Sequence, residues 1–462
     1  MKTSFLDQVC SAFSSDFMTQ SPEKLEHFGR DWTRVFLPSP SAVVFPRTTD
    51  EVARFLRLCS QERIAVVPSG GRTGLAGGAV AAHGEVVLSL DRMNRMEPVD
   101  TLASTVKVQA GAITEAVHLH CLPHLLTWPI DFASKGSSQV GGNISTNAGG
   151  VKVIRYGLTR QWVLGLQVVT MQGDILELNG ALEKNNTGLD MRQIFIGSEG
   201  TLGVVTEATL KLAPLPKNLE VFFFALEDID AVLRLFQEAR RSGFQIMAFE
   251  FLTRNCFELV SSSRGLTSPF QKSYPAYVLM EIERLEGEGP WDRWLEAVFE
   301  KEFVLDGTVA QSPREAKELW SFREGISESL SLHGFVHKND IAISISQLGS
   351  FVQEMYSLFM TRNPGLEIFL FGHIGDGNLH VNTLKPNAMN QEEFVQLCHE
   401  TDFELFTLVK KYAGSISAEH GIGLLKKDAL PFSRSSIELE LMRGFKRLLD
   451  PQKLLNPGKI FD

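Results

Sequence analysis

The stretch Phe369-Leu370-Phe371-Gly372-His373-Ile374-Gly375-Asp376-Gly377-Asn378-Leu379-His380-Val381-Asn382 constrains this chain more than any other. Two apolar runs flank Gly-Asp-Gly-Asn, turn chemistry that folds a strand back on itself as a β-hairpin. With residues 375–378 as the turn, Ile374 pairs with Leu379 and His373 with His380. Directly opposed residues share a face, their Cβ atoms about 5 Å apart. Asn382 points the same way as His380, because side chains alternate with period two. Two imidazoles and an amide then converge, a metal-site geometry short of one ligand. As two of eleven histidines, they would serve equally as polar groups on a solvated hairpin. A third ligand is offered by Ser417-Ala418-Glu419-His420-Gly421-Ile422-Gly423. His373, His380 and Glu419 with an open fourth position make a catalytic rather than a structural zinc pattern. These ligands alone do not fix which divalent ion binds.

At 462 residues the chain is too long for one core, so two or three domains are expected. Hydrophobic residues at 44% and charged residues at 22% describe a soluble globular protein. A net charge of −10 argues against nucleic acid, which needs a basic face. An anionic substrate needs only a local cluster of Arg and Lys. Cys10, Cys59, Cys121, Cys256 and Cys398 form an odd, scattered set without C-x-x-C, read as reduced thiols in a cytoplasmic protein. No apolar run reaches the about 18 residues of a membrane span, which leaves peripheral membrane association open. Asp7 within the first apolar stretch argues against a secretory signal.

Three glycine-rich segments precede residue 207. The first, Pro68-Ser69-Gly70-Gly71-Arg72-Thr73-Gly74-Leu75-Ala76-Gly77-Gly78, follows a short strand at 64–67 and holds five glycines in nine residues. Such a loop lets backbone N–H groups curl around a pyrophosphate, or simply makes a tight turn. It is neither a Rossmann G-x-G-x-x-G nor a Walker loop. The second, from Lys135-Gly136-Ser137 to Asn147-Ala148-Gly149-Gly150, has small residues and amides suited to a large planar ligand. The third is Ile196-Gly197-Ser198-Glu199-Gly200-Thr201-Leu202-Gly203-Val204. Each glycine loses extra entropy on folding, so three such loops are costly in a mere scaffold.

These segments resemble the flavin-binding half of the vanillyl-alcohol-oxidase type of FAD oxidoreductases. With residues 372–382, 417–423 and Leu455-Asn456-Pro457-Gly458-Lys459, they resemble its D-2-hydroxyacid dehydrogenase branch, from about residue 38 onward. The resemblance implies an α+β fold. A PCMH-type FAD-binding domain of two α/β subdomains (38–216) would follow an N-terminal helical arm (1–37). An antiparallel-sheet α+β substrate and metal domain (217–415) would come next, and then a helical C-terminal segment (416–462) completing both sites.

The same resemblance implies a non-covalent FAD whose pyrophosphate lies on Pro68, Ser69, Gly70, Gly71, Arg72, Thr73, Gly74, Leu75, Gly77 and Gly78. Pro129, Ser138, Gly141, Gly142, Asn143, Thr146, Asn147 and Gly149 would line the cofactor, with Glu199, Gly200, Gly203, Val204 and Asn456. Arg72 departs from the smaller residue usual there; it adds a pyrophosphate contact or points to solvent. Arg323, Ser327 and Lys338 fall where the family holds its substrate carboxylate, with Asn382 at the near end. Otherwise an Arg on a helix reads as a solvated face. His333, His337 and His399 are read as surface or packing residues.

Along the rest of the chain, Thr48 and Glu51 suggest a capping box opening a helix to about residue 61. Residues 212–216 mark a domain boundary. Helices are expected at 228–242, 315–332, 391–412 and 436–449, and a polar loop at 261–273.

The reaction expected is oxidation of a D-2-hydroxy acid to a 2-oxo acid, with hydride passing to flavin N5. A divalent metal, zinc by preference, would polarise the substrate oxygen, and His420 would act as general base. Two cationic side chains at the far end favour a dicarboxylate such as D-2-hydroxyglutarate or D-malate over D-lactate or glycolate. A metal-dependent hydrolase and a non-catalytic flavin electron carrier are the rivals of other classes. The family implies an electron-transfer flavoprotein or a quinone as acceptor, and allows a homodimer.

Overall fold

Apolar runs between glycine-rich turns become sheets in the computed structural model of the chain, which describes residues 3–33, 35–284 and 291–461. The chain forms two units. One comprises Met1–Gly150, Tyr156–Leu215 and Glu419–Asp462, the other Val151–Arg155 and Pro216–Ala418.

In the first unit Ala42–Val44, Val86–Ser89 and Val66–Ser69 lie parallel in one sheet. Strands buried on both faces read as continuous apolar runs, and here Val43, Val44, Val66, Val67, Val86 and Val87 are all buried. The expected helical arm is more than an arm. Met18–Thr19 pairs with Val44 and Val43 as an edge strand, and Phe5, Val9 and Phe17 are buried in the same core as Phe55. Thr48 caps the helix Thr49–Glu62 by accepting the Glu51 N–H. The return bond of the box goes from the N–H of Arg47 to Glu51 Oε2, at 2.7 Å, rather than from Thr48. The second sheet of this unit is antiparallel, ordered Thr105–Gln109, Val204–Lys211, Val163–Val169, Ile175–Leu178.

The second unit is built on a seven-stranded antiparallel sheet. Its order is Val304–Val309, Leu219–Leu226, Ala276–Glu283, Gln245–Thr253, Ile368–His373, Asn378–Leu384, Val336–Ala342. Alternation puts Phe223, Leu252, Leu279, Phe369 and Phe371 on one face, where they pack with Phe257, Phe322 and Ile326 from helices. Two helical expectations change. The polar stretch 261–273 begins inside the helix Arg254–Arg264, whose buried Cys256, Phe257 and Val260 hold it to the core while the Ser261 and Ser263 hydroxyls turn back onto the carbonyls of Phe257 and Leu259. The long helix expected over 315–332 is two, Pro313–Glu324 and Ile326–His333, meeting at Gly325. A Cβ at Gly325 would lie 2.7 Å from the Ser321 carbonyl oxygen and 2.8 Å from Arg264 Nε.

The hairpin forms, with its register shifted by two residues from the expected one. Phe371 opposes His380, His373 opposes Asn378, and Phe369 opposes Asn382. The turn takes four residues, 374–377. The Gly377 N–H donates to the His373 carbonyl at 3.1 Å, and Asp376 Oδ1 accepts the Asn378 N–H at 3.1 Å. Loops of four residues are the next most common after two and three. A slip of two preserves parity, so His373 and His380 still share a face, on a diagonal rather than opposite one another.

Gly377 has φ +84°, and a Cβ there would sit 2.1 Å from the Ile343 carbonyl oxygen. Gly377→Ala should therefore lower stability to thermal unfolding by at least about 2 kcal/mol. Gly365→Ala, where an added Cβ meets nothing within 4 Å, serves as the control and should be nearly neutral. Equal melting temperatures for the two variants would contradict the assigned turn.

Candidate functional site

In the second unit six polar residues of neighbouring strands share one sheet face. Register places Lys338 opposite Asn382 and Asp340 opposite His380, and Glu250 opposite His373. The His373 and His380 ring centroids are 5.4 Å apart. Each imidazole turns Nδ1 to its own buried carboxylate: His373 to Glu250 Oε1 at 2.8 Å, His380 to Asp340 Oδ1 at 3.5 Å. A carboxylate only accepts, so the 2.8 Å hydrogen bond to Glu250 puts the proton of the neutral His373 ring on Nδ1 and leaves the Nε2 lone pair free, while the 3.5 Å contact at His380 is electrostatic rather than a hydrogen bond. Such outer carboxylates orient metal-binding histidines and make them better donors. The donor set therefore fits a divalent ion.

Asp340 has further duties. Its Oδ1 accepts the Asn378 side-chain amide at 2.8 Å, and its Oδ2 accepts the Ala418 N–H at 3.1 Å. Ser415 bridges to Ala342 beside it. The segment ending at Ala418 is thus fixed to the strand that carries Lys338 and Asp340, and Glu419 and His420 follow directly in the chain.

Arg323 is 7% exposed. Its Nε lies 2.8 Å from Glu250 Oε2, and its guanidinium sits 4.9 Å from the centre of the Phe371 ring. Phe371 in turn packs on His380, centroids 4.8 Å apart. Ser327 lies beyond the Gly325 break and is exposed, so the four-residue spacing does not give it the surroundings of Arg323. Lys338 is half-buried, makes no hydrogen bond or ion pair among the described residues, and burial lowers its ammonium pKa. His337 is not a bare packing residue: its Nε2 lies 2.9 Å from both oxygens of Asp402. Glu250 and Asp340 escape a reading of the sequence. The only signal for Glu250 is a lone acid in an apolar strand, Phe249-Glu250-Phe251, and Asp340 has none, since it closes the polar run His337-Lys338-Asn339-Asp340.

In the first unit the glycine loops touch one another. A Cβ at Gly71 would sit 2.2 Å from the Ser137 carbonyl oxygen. At Gly142 it would meet nothing within 4 Å, and at Gly74 only Asp31 at 3.9 Å, which leaves backbone open to a ligand. Three buried polar atoms beside this loop lack a hydrogen-bond partner among the described residues: Ser69 Oγ, Gln139 Oε1 and Asn456 Oδ1. The Asn456 amide donates to the carbonyls of Gly78 and Glu199, at 2.9 and 2.7 Å. Lys459 is 2% exposed; burial pulls its ammonium down to about 8, while the carboxylates of Glu85 and Asp31 oppose the shift. Orphaned acceptors and a desolvated cation around open glycine backbone suit a phosphate-bearing cofactor such as FAD. The sequence alone gives Lys459 no role.

Several side chains expected on the cofactor are instead taken by protein. Arg72 is neither solvent-facing nor free: it bonds the Gly70 carbonyl at 2.6 Å, pairs with Asp91 at 3.3 Å and lies over Phe28. Asn143 donates to Thr114 Oγ1 at 2.7 Å, Ser138 shares a hydrogen bond with the same oxygen, and Thr146 bonds back to the Gly142 carbonyl. Asn147 Oδ1 accepts the Arg160 N–H. The Glu199 carboxylate accepts the N–H groups of Ile422 and Gly423 at 2.7 and 2.8 Å. What these positions leave for a ligand is mainly backbone. Pro129, Gly149, Gly200, Gly203 and Val204 are buried around them.

Residues 215–460 match the family described as FAD linked oxidases, C-terminal domain, and residues 40–179 match the FAD binding domain. The chain is 47% identical over 443 residues to a D-2-hydroxyglutarate dehydrogenase of Xanthomonas citri pv. viticola, covering 96% of this chain and 93% of the relative. To that of Stutzerimonas stutzeri it is 43% identical over 458 residues, covering 99% and 98%. The mitochondrial enzyme of Bos taurus is 38% identical over 448 residues, covering 95% and 80%. The solved structure of p-cresol methylhydroxylase with substrate bound superposes with a TM-score of 0.77 at 15% identity, over 100% of this chain and 98% of that one. Alkyldihydroxyacetonephosphate synthase gives 0.73 at 20% identity, over 99% and 86%. At those identities the likeness shows the fold, which is the α+β flavoprotein fold expected. Among the described residues no helix is long and apolar enough to cross a membrane.

Burial pushes the Glu199 carboxyl up to about 7, although the two N–H donors favour its anion. Its folded pKa stands above the ordinary 4.5. The stability it contributes is therefore complete below that value and is lost as pH rises through about 7, by roughly 3 kcal/mol. Glu199→Gln does not ionise and should lack this slope. Urea unfolding of both proteins across that interval should show their stabilities diverge with pH; a constant offset would count against it.

Proposed function

This chain belongs to the FAD-linked D-2-hydroxyacid dehydrogenases, and from that premise we propose that it oxidises D-2-hydroxyglutarate to the 2-oxo acid, with D-malate as the shorter alternative. The choice of a dicarboxylate rests on Lys338. It is a half-buried ammonium without a partner among the described residues, on the sheet face that carries His380 and Asn382. Leaving a cation there is costly unless a ligand anion meets it. A hydroxy acid with one carboxylate commits that group to the metal end, whereas a second carboxylate supplies the partner.

Bound FAD supplies a two-electron acceptor for the hydrogen leaving the α-carbon. A divalent ion, zinc by preference, supplies Lewis acidity toward the substrate hydroxyl; His373, His380 and Glu419 would hold it. His420 takes the hydroxyl proton on its imidazole, a role histidine suits near neutral pH. Asn382 donates its amide to the near carboxylate. Lys338 and Arg323 draw the far carboxylate, Arg323 through the Nη edge left by its contact with Glu250. Ser327, on the following helix, would add a hydroxyl to that carboxylate. Beyond the flavin, an electron-transfer flavoprotein or a quinone is the proposed acceptor.

With an artificial acceptor, wild type should turn over D-2-hydroxyglutarate faster than D-lactate. Lys338→Ala should lower kcat/KM for the dicarboxylate by roughly 10–100-fold, about 1.5–3 kcal/mol, and change D-lactate turnover much less. Preference for D-lactate in the wild type, or equal losses on both acids, would sink the substrate assignment.

His373→Ala and His380→Ala should each lose bound divalent ion by elemental analysis while keeping the flavin absorbance, because the cofactor loops belong to the other unit. His420→Ala should keep the ion and lose turnover. Full metal occupancy in either His→Ala variant of the hairpin removes the ligand set.

A further inference from the structure

Glu250 is 1% exposed, and both of its carboxylate oxygens have charged or polar company. Oε1 lies 2.8 Å from His373 Nδ1 and Oε2 lies 2.8 Å from Arg323 Nε. One carboxylate thus touches a proposed metal ligand and a proposed substrate cation. Asp340, its counterpart at His380, is engaged differently: it accepts the Asn378 amide and the Ala418 N–H, and so ties the imidazole to backbone and turn.

We propose that Glu250 is a positioning residue that sets the tautomer of His373 and the aim of Arg323 together, coupling metal binding to recognition of the substrate's far carboxylate. The inference rests on the metal and dicarboxylate reading above. Because the carboxylate only accepts, it holds the His373 proton on Nδ1 and frees Nε2 for an ion. For Arg323, Nε is ion-paired with Oε2 at 2.8 Å without hydrogen-bond alignment, and one face is covered by Phe371, which leaves the Nη edge for a ligand. A planar guanidinium held in this way meets a carboxylate in a fixed orientation. Removing the negative charge weakens the acceptor at His373 and leaves Arg323 without its buried counter-charge.

Glu250→Gln keeps the shape and removes the charge. In FAD-loaded protein the zinc dissociation constant, measured against a competing chelator, should rise about 10–100-fold. At saturating zinc, KM for D-2-hydroxyglutarate should rise more than KM for D-lactate. A shift in only one quantity, or in neither, overturns the coupling, since a merely structural ion pair would leave both ratios unmoved. If Glu250→Gln does not accumulate, the wild type decides the question. Histidine 15N spectra of the zinc-free, FAD-loaded protein, with His373 assigned through His373→Gln, should place the neutral-ring proton on Nδ1, and a proton on Nε2 overturns the proposal. Wild type that binds no zinc, or prefers D-lactate, marks failure of the underlying reading instead.

Discussion

The substrate face depends on how a buried negative charge is answered. A carboxylate removed from water costs several kcal/mol unless hydrogen bonds and a counter-charge meet it, and losing one partner of such a pair typically costs about 3–5 kcal/mol. Glu250 is answered on both sides, by Arg323 and by the His373 imidazole. The three partners stand on the paired strands Gln245–Thr253 and Ile368–His373 and on the end of the helix Pro313–Glu324, so the charges link all three elements. Asp340 is answered by an imidazole, a side-chain amide and a backbone N–H. The face therefore has a rigid cationic corner at Arg323 and, at Lys338, a cation left without a partner among the described residues.

A second principle governs the flavin-type unit, where the backbone rather than the side chains is kept available. Gly71, Gly141 and Gly150 are glycines because other backbone or Cβ atoms stand within 2.1 to 2.7 Å of where a Cβ would be. Around them, hydroxyls and amides that could have met a ligand fasten one loop to the next, as Asn143 and Ser138 do through Thr114. The polar groups left over are few and buried: Ser69 Oγ, Gln139 Oε1, Asn456 Oδ1 and the Lys459 ammonium. A preformed cradle of this kind loses little entropy when its ligand arrives.

Much of this is legible in the sequence where chemistry is local. Turn residues announce the hairpin, and the period of two places His373, His380 and Asn382 on one face even though the register expected from the turn is off by two. Parity survives such a slip; opposition does not. The helices at 49–62, 391–411 and 436–449 lie within a residue or so of their expected ranges, the first with its expected Thr48 cap. What stays hidden depends on strands distant in sequence. Glu250 lies 123 residues from His373, and nothing near it marks its partner. The Gly325 break is hidden for a related reason, since one of the contacts that demand glycine comes from Arg264. Arg72 looks available in the sequence because its acceptor, Asp91, lies 19 residues on.

The path of the chain carries a consequence for how the molecule is made. It passes between the two units four times, at residues 150/151, 155/156, 215/216 and 418/419. The strand Val66–Ser69 is met by Leu455 in a parallel bridge, and the Asn456 N–H bonds the Val66 carbonyl at 2.7 Å. Almost four hundred residues must therefore be synthesised between the laying down of that strand and the arrival of its neighbour. Contacts of such long sequence separation form late and slowly. During synthesis the first unit waits with an unfinished sheet edge beside the glycine loops until residues 455 and 456 emerge, after every strand of the second unit has already been made.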